Sequence, residues 1–264
     1  MKFSCCIEMI FTEVPFIERF RMAKESGFEF VEFWNWDNKD IAAIKDALGK
    51  NGLKLAAFQG NHKGRMINSE DQEIYFQGVL KGLEIAKELG ALNIFVMSDI
   101  LQEDRSVLPL NRPISEAEKR SNTVMMLKKL APFAEEAGVT LVIEPLNTYI
   151  DHKGYSLVNT KPAVDIVKEV GSPNVKLLYD VYHMQIMEGN ISDNITQYHQ
   201  YFGHVHIADV QGRGQPGTGE LNYVHILQVL KNTGYDRIVG WEFTPVGGDS
   251  ETVVKDTFTM FSSL

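Results

Sequence analysis

Short apolar runs alternate with amphipathic stretches from one end of the chain to the other. Eight runs predict strands: residues 3–7 (FSCCI), 29–33 (EFVEF), 54–58 (KLAAF), 93–97 (NIFVM), 140–143 (TLVI), 175–180 (VKLLYD), 203–208 (GHVHIA) and 238–242 (IVGWE). They are short, apolar and rich in β-branched or aromatic residues. The stretches between them follow the helical period. PFIERFRMAKESG places Phe16, Ile17, Phe20 and Ala23 at helical spacing, with Gly27 as a stop and Pro15 suited to the first turn. DNKDIAAIKDALGKNG, DQEIYFQGVLKGLEIAKELG and SEAEKRSNTVMMLKKLAPFAEEAG repeat the design, ending at Gly52, Gly90 and Gly138.

The recurring order of helix, glycine and short apolar strand signals a parallel α/β fold. Eight strands separated by helices favour a closed (β/α)8 barrel, a TIM barrel, over an open doubly wound sheet. No GxGxxG follows the first strand, so a dinucleotide site loses its main support. No Pro-, Gly- or Ser-rich linker divides the chain, which reads as one domain over residues 1–264. The least periodic segments, 59–70 and 98–114, follow strands and so belong at the active-site end of a barrel.

Composition narrows the function classes. The 264 residues are 44% hydrophobic and 23% charged, enough for a sizeable core. A net charge of −9 weighs against nucleic acid as a partner, while leaving room for a local basic pocket. Cys5 and Cys6 are adjacent in the first strand, so no disulfide framework exists and buried packing is expected. No apolar run approaches the ~18 residues of a membrane span, and the N-terminus lacks a secretory pattern. A cytoplasmic protein is expected, with a small-molecule partner and an assembly of identical chains permitted.

Four of the runs end in a residue able to hold a metal ion: Glu144, Asp180, His206 and Glu242. Their spacing is roughly one βα unit, about 30 residues. Parallel barrel strands share one direction, so strand-end side chains converge on one mouth. Pro145 ends the run before it, placing Glu144 at the rim. Asp180 could instead cap the next helix. His204 and His206 fall on one face of their strand and Val205 on the other; His206, nearer the end, is the better ligand, and His204 suits packing or support. Glu242 points inward between outward Trp241 and Phe243, a costly arrangement for a lone charge. Three carboxylates and one imidazole suit Mg²⁺ or Mn²⁺, with Zn²⁺ or Co²⁺ as alternatives. His183 lies one helical turn from Asp180, near substrate. Arg213, in the Gly-rich turn QGRGQPGTGE, and His62 and Lys63, after the third strand, are further substrate contacts. Glu32, at the end of the second strand, is placed to support the ligands.

With these residues in view, the chain resembles the hydroxypyruvate isomerase family of the xylose isomerase-like TIM barrels. FTEVPFIERF, GFEFVEF, IEPLN, YDVYHMQIMEGN, GHVHIADVQGRGQPGTGELNY and GYDRIVGWEFTP carry the resemblance, most strongly from residue 140 onward. It implies that Glu144 and Glu242 are the acid/base pair and also bind the metal, and that Asp180 is a ligand. His206 stands where such isomerases often carry Gln, and where related ketose 3-epimerases carry His. Thr244 stands where a Lys is common, and WNWDNKD and QGNHKGRMIN depart from the pattern. The expectation is an aldose–ketose type isomerase acting on a small hydroxy-carbonyl compound such as hydroxypyruvate. A 3-epimerase is the first rival. An endonuclease IV-type nuclease would need more histidines and a basic groove, and a binding protein would leave the two glutamates unexplained.

Overall fold

The structure is a computed structural model that describes residues 1–61, 63–262 and 264. Its eight parallel strands are β1 (Lys2–Cys6), β2 (Phe30–Asn35), β3 (Lys54–Gln59), β4 (Asn93–Val96), β5 (Thr140–Ile143), β6 (Val175–Asp180), β7 (Phe202–Ile207) and β8 (Ile238–Trp241). They pair in chain order, and β8 closes on β1 through Lys2 opposite Ile238 and Cys5 opposite Trp241. This is the expected (β/α)8 barrel, with each predicted strand present and its ends within two residues of the reading.

The helices outside the barrel are α1 (Glu18–Glu25), α2 (Ile41–Asn51), α3 (Gln72–Leu89), α4 (Glu116–Ala137), α5 (Thr160–Val170), α6 (Val181–Met187), α7 (Ile191–Tyr198), α8 (Tyr223–Asn232) and α9 (Ser250–Met260). Gly52, Gly90 and Gly138 cap α2, α3 and α4 at φ +59°, +68° and +67°, a conformation in which a side chain is strained. Pro15 departs from expectation. Helix α1 begins at Glu18, whose N–H donates to the Pro15 carbonyl at 2.9 Å, so the proline sits in a lead-in turn.

Most of the core lies between the sheet and the helices. Trp241 packs there on Phe28, ring centroids 5.0 Å apart, and on Phe258 at 4.6 Å. Cys5 and Cys6 are buried and free, as expected. A second cluster, Ala57, Phe95, Val142 and Leu178, fills the barrel interior. Phe95 meets the His206 ring edge-on at 5.4 Å, which fixes His206 as inward-facing. Strand alternation therefore sends the aromatic bulk outward and the titratable side chains inward, toward one end.

Candidate active site

The strand-end residues meet. Glu144, Asp180, His206 and Glu242 are all buried, and each offers a donor atom within 4.8 Å of the others'. His206 Nδ1 lies 3.2 Å from Glu242 Oε2 and 3.8 Å from Glu144 Oε1. Asp180 serves two purposes at once. Its Oδ1 caps α6, accepting from the N–H groups of Tyr182 (2.8 Å) and His183 (3.4 Å), while Oδ2 turns into the cluster.

These residues fit a divalent cation. Glu144 Oε1, Asp180 Oδ2 and His206 Nδ1 are buried and have no hydrogen-bond partner among the described residues. Unpaired buried oxygens on two neighbouring carboxylates, beside a third carboxylate, are costly unless a positive charge sits among them. The electrostatics say the same. Burial, reinforced by the charges of Glu242 and Asp180, pushes Glu144 well above the usual carboxylate range. Burial likewise pushes Asp180 up to about 6. Burial opposes ionisation of Glu242 too, but His206 and Arg213 outweigh it and hold that carboxyl well below its usual range. His206 is raised despite its burial, because Glu242 and Glu32 favour its cationic form.

A polar floor supports the cluster from below. Glu32 is fully buried; its Oε2 accepts from Ser4 Oγ at 2.7 Å and lies 2.9 Å from His204 Nε2. Its Oε1 lies 2.9 Å from His206 Nε2, on the ring edge opposite the cluster, although the two are not aligned as a hydrogen bond. Glycine at 240 makes this possible. A Cβ there would come within 2.5 Å of Glu32 Oε1 and 2.7 Å of His206 Cδ2. Glu32, expected to support the ligands, and His204, expected to pack or support, both lie in this floor.

Above the cluster opens a cavity of about 520 Å³, lined by Glu144, His183, Arg213 and Glu242 among others. His183 Nδ1 faces Asn147, 3.2 Å from its backbone N–H and 2.7 Å from its side-chain nitrogen. Burial and the nearby Arg213 charge keep the ring neutral, with its pKa well below the usual value. With Nδ1 accepting, the proton resides on Nε2, which lies 3.5 Å from Asp180 Oδ2 but makes no hydrogen bond among the described residues, leaving it available to a ligand oxygen. Arg213 reaches in with φ +56° and bonds Glu242 Oε2 through Nη2, 3.7 Å from Asp180 Oδ2. Its turn is tied down: the Asp209 carboxylate accepts from the backbone N–H of Val210, Gly217 and Leu221, and the Thr244 N–H bonds the Arg213 carbonyl at 2.9 Å.

Lys63 is exposed and stands apart from the cavity lining, so the structure does not bring it to the site. His62 lies outside the described residues. Sequence reasoning missed Trp34, Gln59, Asn61, Asp99 and His152, which also line the cavity. The signal was available, since most of them follow the C-terminal ends of β2, β3, β4 and β5.

Comparisons with known proteins bear on the family. The family model described as "Xylose isomerase-like TIM barrel" matches residues 20–264. Hydroxypyruvate isomerase of Escherichia coli is 31% identical over 252 residues, covering 93% of this chain and 94% of that protein. The 2-oxo-tetronate isomerase of Cupriavidus necator is 32% identical, covering 94% of this chain and 95% of that one. A solved structure described as an AP endonuclease of family 2 from Brucella melitensis superposes with a TM-score of 0.88 at 30% identity, over 98% of both chains. The chain belongs to the xylose isomerase-like TIM barrel family, within its hydroxypyruvate isomerase branch. It is an enzyme of the isomerase class.

Proposed function

We propose that this enzyme is a divalent-metal-dependent isomerase of a small hydroxy-carbonyl acid, converting hydroxypyruvate to tartronate semialdehyde. The observation that carries the reading is the convergence of Glu144, Asp180, His206 and Glu242, with three orphaned donor atoms, beneath a cavity of about 520 Å³. Those four residues would hold the ion, Mg²⁺ or Mn²⁺ by donor type, and when bound it would supply electrostatic stabilisation of developing negative charge. The protein's own groups move the proton. One glutamate carboxylate takes a proton from the hydroxymethyl carbon, and a carboxylic acid of the pair returns one to the former carbonyl carbon. The C–H bond broken at the hydroxymethyl carbon is replaced by one at the former carbonyl carbon, and the hydroxyl proton of the first carbon is passed to the oxygen of the second, so atoms balance with no net redox change. His183 donates to a substrate oxygen through Nε2, and Arg213 orients the substrate carboxylate.

Ketose 3-epimerisation is the second reading. His206 and the cavity favour it, because about 520 Å³ is roomy for a three-carbon acid. The test is a panel of keto acids and ketoses turned over by metal-reconstituted protein in D₂O and resolved by NMR. Deuterium at C2 of tartronate semialdehyde supports the isomerase. Deuterium at C3 of a ketose whose carbonyl has not moved supports the epimerase, and no turnover of hydroxypyruvate beside efficient turnover of a ketose overturns the first reading. Arg213→Ala adds a check: an acid substrate should lose about 2–5 kcal/mol of kcat/KM, a neutral ketose far less.

A further inference from the structure

Glu242 and Glu144 are not held alike. Glu144 Oε1 has no hydrogen-bond partner among the described residues. Glu242 is fixed at both oxygens. The Trp34 indole N–H donates to its Oε1 at 2.8 Å, while Oε2 faces His206 Nδ1 at 3.2 Å and the Arg213 guanidinium. The Trp34 bond joins the end of β2 to the end of β8, across 208 residues of chain. Trp34 is itself anchored. Its backbone N–H donates to Glu8 Oε1 at 3.4 Å, and the same oxygen pairs with Lys39 Nζ at 2.7 Å. Lys39 Nζ returns to the Asn35 carbonyl at 2.7 Å, closing the loop around the tryptophan. This anchoring lies in the WNWDNKD segment.

A glutamate that takes or returns a proton at one carbon needs a fixed carboxylate plane, but its terminal torsion is intrinsically broad. A donor on the outer oxygen removes that freedom and leaves the inner oxygen aimed at the cluster. We propose that Trp34 is a positioning residue for the isomerisation: its indole N–H clamps Glu242 Oε1, so that Oε2 alone addresses the cluster and the substrate. This rests on the reaction proposed above. The ring also walls the cavity, so truncation alone would confuse clamp with wall. Trp34→Phe keeps an aromatic wall and removes only the donor.

In Trp34→Phe, kcat should fall about 30-fold while KM and the calorimetric Mn²⁺ dissociation constant each move less than about threefold. A kcat within about threefold of wild type overturns the clamp. So does a loss of kcat matched by an equal loss of Mn²⁺ affinity, which would place the effect in the cation site. A second measurement needs no substrate. The chain has three tryptophans, and the indole ¹H–¹⁵N resonance missing from Trp34→Phe belongs to Trp34. That resonance should shift upfield in Glu242→Gln; an unmoved resonance overturns the contact. Failure of the functional reading shows instead in the wild-type substrate panel, where it leaves the indole result standing.

Discussion

Strands β5–β8 deliver all four candidate cation ligands, Glu144, Asp180, His206 and Glu242, one from the end of each strand. Strands β1–β4 are built from the same βα unit and deliver none of them. Their ends supply cavity wall: Trp34, Gln59, Asn61 and Asp99. The difference teaches where chemistry and selectivity reside. On the function proposed above, the second half would hold the charges that an enolising reaction needs, and the first half would face the variable part of the substrate. The family resemblance is strongest from residue 140 onward and departs in WNWDNKD and QGNHKGRMIN, which is the same division seen along the chain. Glu32 breaks the pattern, for it comes from β2 yet lies under His206.

The sharpest way to break this comparison is to disable the second half alone. Glu144→Gln and Glu242→Gln should each lower kcat/KM by at least about 10³-fold, and the double variant should be scarcely worse than either single, because groups acting as a unit are non-additive. Steady-state kinetics on fully metal-loaded, circular-dichroism-checked protein decides it. Near wild-type activity in either single would end the assignment.

Next in size is the exception. Glu32→Gln should weaken divalent-ion affinity by about 10–100-fold, because the carboxylate behind a ligating imidazole orients it and raises its basicity. Isothermal titration with Mn²⁺ measures this. An unchanged affinity would reduce Glu32 to a packing role and restore a clean division between the halves.

A pH titration of the same binding comes third. The ion requires bare carboxylates and an unprotonated His206 Nδ1; burial raises Asp180 to about 6 and raises Glu144 as well, and Glu242 and Glu32 raise His206. Protons therefore compete on the acid side. Affinity should fall as pH drops through about 6 and recover above it, with proton release on binding near neutrality. A flat profile from pH 5 to 8 would remove these groups from the ligand set.

The smallest effect belongs to the first half. Gln59→Ala should change KM, or the preference between acid and ketose, by a few-fold, roughly the 1 kcal/mol of one hydrogen bond, and leave Mn²⁺ affinity unchanged.

Periodicity made the barrel legible. Alternation in GHVHIAD and VGWEF correctly separated inward from outward side chains, and the glycines after α2, α3 and α4 marked their ends. The convergence of Glu144, Asp180, His206 and Glu242 was legible for the same reason, since a strand end in a parallel barrel has one address. What escaped depends on neighbours distant in sequence. Nothing local to Trp34 shows that it meets Glu242, because that contact needs the β1–β2 and β8–β1 registers together. Asp180 read as either cap or ligand, and the structure uses one oxygen for the cap and turns the other into the cluster. Lys63 follows β3 as a substrate contact should, but its side chain turns to solvent. Pro15 has the right φ for a first helical turn, yet the turn it starts does not become helical until Glu18.

The tied-down turn carrying Arg213 has a kinetic meaning. Three backbone N–H groups on Asp209 and the Thr244 N–H on the Arg213 carbonyl hold a guanidinium at the mouth in a left-handed backbone conformation. Ordering a long, charged side chain at the moment of binding costs about 0.5–1.5 kcal/mol. Here that entropy is already lost when the chain folds. On the function proposed above, a substrate arriving from solvent would meet a guanidinium at its post, and encounter and productive alignment would merge into one event on the Arg213 side of the mouth.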